Sequence, residues 1–381
     1  MILRSLLSLL IFISAHTASS QTKLIQVKPQ GSATWGYASL DGTMVIPANL
    51  KKVNDFSEGY APVMNASGKW AFVNAKGEEL NVETNDFVTV SIFGFGVKGF
   101  ENGLAPIISK KLKGVIGTDG KWMHQPEYHY ISDFDNGYAA AKIGKQFYIL
   151  SQSGGRTEVS LPVIDLKKFS EGLAPFRSKT KQFGFLNPEG NEVIDAQFLA
   201  VGYFSHGLAW AKAMDKKVGI INKKGEWVVE PQYTAAKEFD NEGFARVKSG
   251  TEWRFLTKDG KEISVSGNLS LGDFNSGRAY ARKGDLYGFV DTKGEWVIDA
   301  KYTKVKDFTE GFAAVRSGDL WGFVDAYGKE VISAQFINVR QFKNGYAAAC
   351  KTKDAWGIID TKGNWVLEPN YLRVKDVEVV K

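Results

Sequence analysis

Two histidines and a glutamate lie close together in the sequence and bring to mind a metal site. His124 and His129 are five residues apart, with Glu127 between them. Imidazole and carboxylate groups bind zinc when the chain brings them to one point. Five residues of extended strand span roughly 15 Å, so a strand would keep the two imidazoles apart. We therefore predict no metal site here, and solvated or hydrogen-bonded histidines instead.

Two aspartates, Asp165 and Asp273, are the candidate pair for glycoside hydrolysis, which needs two carboxylates flanking one bond. Most other acids recur at turn positions of the form Phe-x-Glu-Gly, including Glu58, Glu171 and Glu310. Catalytic acids should be unique rather than repeated. The sequence also has no nucleophile elbow, phosphate-binding loop or Ser/His/Asp arrangement. We therefore predict no catalytic residue and no cofactor.

Aromatic side chains outside the repeated positions are the candidate binding residues. Phe93 and Phe95 lie in an irregular insertion, residues 81–98, and insertions in repeat arrays map to loops that often bind partners. A simple irregular hairpin is the alternative for this segment. Trp210 falls on a strand position where six other units place Pro or Ala. The nine remaining tryptophans recur at two fixed positions, where we expect aromatic pairs across a hairpin: Trp35, Trp70, Trp122, Trp227, Trp253, Trp296, Trp321, Trp356 and Trp365.

A repeat positions all of these residues. The phrase Phe-x-x-Gly-apolar-Ala returns nine times, with one extra residue before Gly243 and Arg278 at the apolar position of another copy. After one longer first step, the copies follow at intervals of 34 to 36 residues. A constant period in this range is typical of a stacked or circular array of one small unit. The phrase glycines are Gly59, Gly103, Gly137, Gly172, Gly207, Gly243, Gly277, Gly311 and Gly345.

Each repeat consists of apolar runs of four to six residues bounded by Gly or Asx, a pattern typical of strands and turns. We predict three strands per unit: an Ala-rich A strand, a Trp-Gly B strand and a Val-Ile C strand. A weaker fourth stretch, such as residues 302–308, links consecutive units. A small polar residue three positions before a Gly, as in Asp325 before Gly328, predicts the turn that closes the B–C hairpin. The alanine shared by all nine phrases predicts a tightly packed site.

The B strand carries a Trp-Gly signature followed by apolar residues and Asp. The best copies are Trp321-Gly322, which follows Gly311, and Trp356-Gly357, which follows Gly345. Trp35-Gly36 carries the same signature. From about residue 30 onward the chain resembles the WG-repeat (KWG) family of bacterial β-repeats. Four units depart from its pattern: Ala71, Tyr148 and Arg254 replace the signature Gly, and Lys113 replaces the Trp. The resemblance implies an exported or surface-associated scaffold without defined catalytic activity, and it assigns no functional residue.

We therefore predict an all-β fold, a tandem array of antiparallel three-stranded units of about 35 residues. About ten units would form a single domain over residues 21–381. Ten exceeds the usual four to eight propeller blades, and no strand is obviously shared between the two ends. An open β-solenoid or superhelical array is therefore preferred, with residues 371–381 as its polar cap. A closed β-propeller-like ring is the alternative.

Residues 1–20 have the features of a secretory signal peptide: a basic start, an apolar run at 6–13 and small residues before Gln21. The run is shorter than the roughly 20 residues needed to span a bilayer. We predict an exported mature chain, periplasmic, cell-surface or extracellular, without an integral membrane segment. The net charge of +6 comes from scattered lysines, which argues against nucleic-acid binding. The predicted function is a non-enzymatic repeat scaffold that binds a protein or cell-envelope polysaccharide, with a propeller-type glycan-processing enzyme as the alternative.

Overall fold

A computed structural model describes residues 22–84, 86–89, 91–92 and 96–380. Within these ranges the regular secondary structure is entirely β-strand, and no helix there is long and apolar enough to cross a membrane. The predicted signal peptide, residues 1–20, lies outside the described residues. The strands group into ten consecutive antiparallel units, numbered here in chain order.

The strands of the ten units follow one another along the chain. Unit 1 contains β1 (Thr22–Pro29), β2 (Trp35–Ala38) and β3 (Met44–Leu50), and unit 2 contains β4 (Ala61–Met64) and β5 (Trp70–Val73). Unit 3 contains β6 (Val88–Thr89), β7 (Ser91–Ile92), β8 (Gly96–Val97), β9 (Leu104–Ser109), β10 (Leu112–Gly117) and β11 (Trp122–Tyr128). Unit 4 contains β12 (Tyr130–Ile131), β13 (Tyr138–Ile143), β14 (Gln146–Ser151) and β15 (Arg156–Glu158). Unit 5 contains β16 (Val163–Leu166), β17 (Ala174–Ser178), β18 (Phe183–Leu186) and β19 (Glu192–Phe198). Unit 6 contains β20 (Ala200–Val201), β21 (Leu208–Lys212), β22 (Val218–Asn222) and β23 (Trp227–Tyr233). Unit 7 contains β24 (Ala235–Ala236), β25 (Phe244–Ser249), β26 (Glu252–Thr257) and β27 (Glu262–Ile263). Unit 8 contains β28 (Ser270–Leu271), β29 (Ala279–Lys283), β30 (Leu286–Val290) and β31 (Trp296–Tyr302). Unit 9 contains β32 (Lys304–Val305), β33 (Phe312–Ser317), β34 (Leu320–Asp325) and β35 (Glu330–Phe336). Unit 10 contains β36 (Asn338–Val339), β37 (Tyr346–Thr352), β38 (Ala355–Asp360) and the first part of β39 (Trp365–Val380).

A regular unit has four strands, one more than the three that we predicted. In unit 9 the sheet order is β32-β33-β34-β35, so the weak linking stretch is itself the first strand. A two-residue turn joins the first strand to the A strand, and Thr309 and Phe312 exchange backbone hydrogen bonds across it. Its central residues, Glu310 and Gly311, have φ values of 51° and 82°. Positive φ at both positions is the geometry of a type I′ turn, which explains the phrase glycine.

The turn between the B and C strands is the one that the sequence predicts. The Asp325 carboxylate accepts hydrogen bonds from the backbone N–H groups of Tyr327, at 2.9 Å, and Lys329, at 3.0 Å. Gly328 closes the turn with a φ of 82°, in the left-handed region that favours glycine. The role of the Asx residue in closing the hairpin is confirmed.

The signature glycine lies where the C strand bulges against the B strand. In unit 9, Trp321 lies opposite Phe336 and Phe323 opposite Ile332, so the C strand has two extra residues across this step. A Cβ atom on Gly322 would lie 2.5 Å from the Ile332 carbonyl oxygen and 2.8 Å from the Ala334 nitrogen. Only glycine fits beside this bulge.

Apolar clusters fill the interfaces between consecutive units. One cluster joins Phe289 and Ile298 of unit 8 to Phe308 and Ala313 of unit 9. The alanine of each phrase faces the preceding unit and is almost fully buried, which confirms the tight packing that we predicted: Ala61, Ala105, Ala139, Ala174, Ala209, Ala245, Ala279, Ala313 and Ala347.

The two ends of the array are joined in one sheet. The long strand β39 pairs with β38 through its first part and with β1 through its second part, where Thr22 lies opposite Val380. The resulting sheet has the order β3-β2-β1-β39-β38-β37-β36. One apolar cluster joins Ile25 and Val27 to Ala348 and Ile358 of unit 10, and another joins unit 1 to unit 2. Consecutive units therefore contact one another all the way around a ring.

The all-β tandem array of antiparallel units is confirmed, in the closed form that we gave as the alternative. The expectation that no strand is shared, and that residues 371–381 cap an open end, was wrong. The tail reads Val374-Lys375-Asp376-Val377, the same pattern as Val305-Lys306-Asp307-Phe308 in the linking stretch of unit 9. It supplies the first strand of unit 1.

Candidate binding site in the central cavity

The residues that follow the first strands converge on a cavity of about 580 Å³. Five consecutive units contribute to its lining: Lys375 from unit 1, Asp55 from unit 2, residues 97–101 from unit 3, Asp133 from unit 4 and Arg340 from unit 10. Because units 4 and 10 are separated by three others, a cavity that reaches both lies at the centre of the ring.

Charged side chains of both signs line this cavity. Arg340 binds Asp376 through two contacts of 2.5 and 2.8 Å. The Lys98 ammonium lies 2.5 Å from a carboxylate oxygen of Asp133. Burial lowers the pKa of Lys375, a group that also lies near Asp55. The lining can therefore bind charged groups of either sign by exchanging its own ion pairs.

A buried polar cluster lies next to the cavity where the ring closes. The Gln26 side-chain amide donates to Asp55 at 2.7 Å and to Glu378 at 2.6 Å. The second carboxylate oxygen of Glu378 accepts a hydrogen bond from the backbone N–H of Phe56. Burial, together with the charge of Asp55, raises the pKa of Glu378 to about 8. This cluster links β1, β39 and unit 2.

The repeated glutamates of the Phe-x-Glu-Gly turns join consecutive units. Glu171 accepts a hydrogen bond from the backbone N–H of Gly207 at 2.8 Å, and Glu310 accepts one from Gly345 at 2.8 Å. Because carboxylates accept strongly from backbone N–H groups, these acids have a structural use at each interface.

Asp165 and Asp273 are each held in an ion pair. Asp165 lies 2.6 Å from the ammonium of Lys167, and Asp273 lies 2.7 Å from the guanidinium of Arg246. They belong to units 5 and 8, and no hydrogen bond joins them in the described residues. Each of the two candidate acids for glycoside hydrolysis is therefore paired with a cation rather than with the other acid.

The histidines make separate backbone contacts. The buried ring of His124 has its Nε2 atom 2.8 Å from the Ser151 carbonyl oxygen, and burial lowers its pKa. His129 accepts a hydrogen bond from the Gly144 N–H through Nδ1 at 3.1 Å. Among residues 22–84, 86–89, 91–92 and 96–380, no group of three or more His, Cys, Asp or Glu side chains could hold a metal ion.

The insertion reaches the cavity. Within it β6 pairs with β9, while β7 and β8 form a small hairpin. Val97 and Lys98 at its end line the cavity. The predicted binding residues Phe93 and Phe95 lie outside the described residues.

Trp210 is half-buried and packs within the interface between units 6 and 7. Its indole ring lies against the backbone of Gly202, where a Cβ atom would be 2.5 Å from the indole Cδ1. Its proposed role as a surface anchor stays a prediction.

The repeated tryptophans pair differently from our expectation. Trp227 packs edge-on against Phe198 and Trp365 against Phe336, each from the preceding unit, at ring-centre distances of 5.6 and 5.9 Å. Pairing within one hairpin was wrong for unit 10 because the register places Trp356 opposite Tyr371 and Trp365 opposite Ile359.

Sequence reasoning pointed to the insertion but missed Asp55, Asp133, Arg340 and Lys375. A signal for them was present: in eight of the nine phrases a charged residue lies within two positions before the Phe, as in Lys306-Asp307. We read that stretch as a linker and did not expect its side chains to meet at one centre.

Comparisons with solved structures find distant likenesses over much of the chain. A computationally designed protein, Ika8, is 13% identical over 77% of this chain and 96% of its own, with a TM-score of 0.37. A eukaryotic initiation factor is 10% identical over 94% of this chain and 98% of its own, with a TM-score of 0.49. BamB from Moraxella catarrhalis is 14% identical over 68% of this chain and 88% of its own, with a TM-score of 0.33.

No curated protein is significantly similar to the chain in sequence. The family model for the WG containing repeat matches seven segments, which together cover more than half of the chain: residues 35–70, 114–147, 183–217, 219–253, 287–321, 321–353 and 356–377. These segments contain the signature glycines and bulged hairpins described above. The chain therefore belongs to the family of WG-containing β-repeat proteins.

Proposed function

We propose that this protein is an exported, non-enzymatic scaffold that binds a segment of a partner protein in its central cavity. One observation carries the proposal. The irregular insertion departs from the repeat, and the chain from Val97 to Glu101 lines the cavity together with Arg340 and Lys375. Non-repeated segments that reach a shared cavity are where a repeat scaffold gains specificity.

The lining favours a polypeptide over a polysaccharide at this site. Its one aromatic residue, Phe100, is almost fully buried and offers no open ring face for a sugar. Lys98, Arg340 and Asp133 instead present charges of both signs. A peptide carrying acidic and basic side chains matches that pattern and could replace the ion pairs within the cavity.

The use of the acidic residues supports a non-enzymatic role. Glu171 and Glu310 accept hydrogen bonds between units, and Asp165 and Asp273 are paired with cations. The predicted signal peptide supports export to the periplasm, cell surface or medium. A glycan-processing enzyme has no comparable observation in its favour.

Site-specific photocrosslinking tests the proposal. A photoreactive amino acid replaces Glu101, whose side chain lies at the cavity with 62% of its surface exposed. A control replaces Tyr327, which is 81% exposed on the B–C turn of unit 9. Both proteins are incubated with cell-envelope material and irradiated.

We expect a discrete protein adduct from position 101 that is absent from position 327 and lost when a short turn replaces residues 81–98. Adducts that resist protease but yield to glycan hydrolysis would identify a polymer instead. Equal adducts from both positions, or none from either, would contradict binding in the cavity.

A further inference from the structure

A second cavity, of about 520 Å³, lies between units 8 and 9. Its lining includes three aromatic side chains, Tyr280, Tyr287 and Trp321, and two lysines, Lys304 and Lys306. The residues that complete it are Ser, Thr and Val, and no carboxylate lines it. Cavities of several hundred Å³ that combine aromatic walls with a few polar groups are typical of small-ligand sites.

The aromatic wall is specific to this interface. Tyr280 occupies a position at which units 4, 9 and 10 have Ala140, Ala314 and Ala348. Its ring lies flat against the backbone of Gly272, and a Cβ atom there would lie within 3.0 Å of the ring. The glycine therefore makes room for the tyrosine. Tyr287 then stands edge-on to Tyr280, with a ring-centre distance of 6.1 Å and an interplanar angle of 68°.

The two lysines contribute positive charge to the cavity, whose lining contains no carboxylate. Neither Lys304 nor Lys306 forms an ion pair with any residue that the structure describes. The Lys306 ammonium lies 5.6 Å from the ring centre of Trp321, within range of a cation–π contact. An anion entering the cavity would meet both ammonium groups without opposing carboxylates in the lining.

We propose that this cavity binds an anionic saccharide, a chain segment that contains uronic acid. The apolar C–H face of a pyranose ring stacks on aromatic side chains, and the half-buried Tyr280 and Tyr287 both line the cavity. The Arg282 guanidinium lies 5.9 Å from the ring centre of Tyr287, where it adds a further positive charge. A uronate carboxylate is a partner for Lys304 and Lys306. This cavity shares no lining residue with the central cavity, and its ligand does not depend on the partner proposed there.

Unit 6 provides a matched control. Trp210 occupies the position of Tyr280 and lies on Gly202 in the same way. The residue at the position of Lys304 is Ala235, and the one at the position of Tyr287 is Val218. An equally large aromatic is therefore present without the second tyrosine or the exposed lysine.

Calorimetric titration of the purified chain with three uronate oligosaccharides tests the site: trigalacturonate, trimannuronate and a hyaluronan tetrasaccharide. The fully methyl-esterified trigalacturonate is the neutral control. We expect at least one acidic oligosaccharide to bind. A neutral sugar should bind about tenfold or more weakly, because both lysines would lose their partner. The methyl ester is the neutral comparison for trigalacturonate, and maltotriose is the neutral comparison for the other two acids.

Tyr280→Ala, which restores the residue of three other units, should weaken binding by about tenfold. Lys304→Glu, at an exposed position, should weaken it by a similar factor of about ten, whereas Trp210→Ala should leave it within about twofold. Melting curves establish that each variant is folded. Absence of binding by all three acids, equal binding of the neutral sugars, or an equal loss with Trp210→Ala would overturn the proposal.

Discussion

Unit 1 and unit 9 use the same strand pattern but are held together differently. In unit 9 a two-residue turn connects the first strand to the A strand, and these strands pair at only two positions, Lys304 with Arg316 and Val305 with Val315. In unit 1 the first strand comes from the other end of the chain and pairs with β1 at seven positions between Thr22 and Pro29. A tight turn holds two strands at little entropic cost, whereas two distant segments must offset the closure of a long loop.

The two units also differ at one side chain, which is a neutral threonine in unit 9 and a buried glutamate in unit 1. Unit 9 has Thr309 after its phrase Phe, while unit 1 has Glu378 at the equivalent position, buried against Gln26 and the Phe56 N–H. Ring closure therefore relies on a longer stretch of strand pairing and on a buried polar cluster, whereas the continuous units rely on a tight turn. Each difference can be broken separately.

Removing residues 373–381 should have the largest effect. The truncation exposes the partners of Val374, Val377 and Val380, which are at most 6% exposed. Burial of three valines contributes at least about 5 kcal/mol, so units 1 and 10 should separate and the melting temperature should fall sharply. Small-angle scattering together with thermal denaturation measures both effects. Val377→Asp, a full-length variant, should act in the same direction, and an unchanged radius of gyration in both would contradict closure by β39.

The second prediction concerns pH and Glu378. Its pKa rises from 4.5 to about 8 on folding, so the folded state holds the proton more tightly. The resulting contribution is fully present below the unfolded pKa and is lost as the pH rises through 8. Between pH 5 and pH 8 the free energy of unfolding should therefore fall by roughly 3–4 kcal/mol more than in Glu378→Gln.

Urea denaturation of both proteins at several pH values measures this difference. Thr309→Ala, the equivalent site in unit 9, is the control and should show the pH dependence of the parent chain. Parallel curves for the parent and Glu378→Gln would show that this carboxyl does not titrate in the window.

The regular hairpins were predictable because their signals are local. Asp325 and Gly328 specify a turn within four residues, and nine phrase copies fix the period. Closure was not predictable in this way, because Val374-Lys375-Asp376-Val377 has to pair with a strand about 350 residues away. The central site was missed for the same reason: its residues meet only once the ring closes.

The signature glycine could also have predicted the length of the C strand in each unit. Six of the seven units that keep it have C strands of seven residues, such as β19, β31 and β35, and in the seventh the C strand is the first part of β39. Unit 3 keeps Gly114 with Lys113 in place of Trp, and its C strand still has seven residues. The units with Tyr148 and Arg254 have C strands of three and two residues. The glycine, rather than the tryptophan, is therefore what permits the full bulged strand.

The third prediction tests that requirement in both compared units. Gly322→Ala in unit 9 and Gly36→Ala in unit 1 place a methyl group about 2.5 Å from the carbonyl oxygens of Ile332 and Ile46. Each should lower the free energy of unfolding by about 2–3 kcal/mol. Ala71→Gly, in a unit without the bulge, should cost only about 0.5–1 kcal/mol. Equal losses at all three sites, measured by urea denaturation, would show that the bulge imposes no special demand.

The smallest expected effect separates the continuous units from the closing one. Glu310 accepts from the N–H groups of Asn344, at 2.6 Å, and Gly345, whereas unit 1 has Val379 at the equivalent position. Because the carboxylate is exposed, Glu310→Ala should cost only about 1 kcal/mol. Its local consequence should be clearer: amide exchange at Asn344 and Gly345 should accelerate, while exchange along β1 stays unchanged, because closure there does not use this bond. Glu295→Ala, at an exposed turn position of unit 8, is the control. Faster exchange along β1 as well would mean that the ring opens as one cooperative body and that the two kinds of joint are not independent.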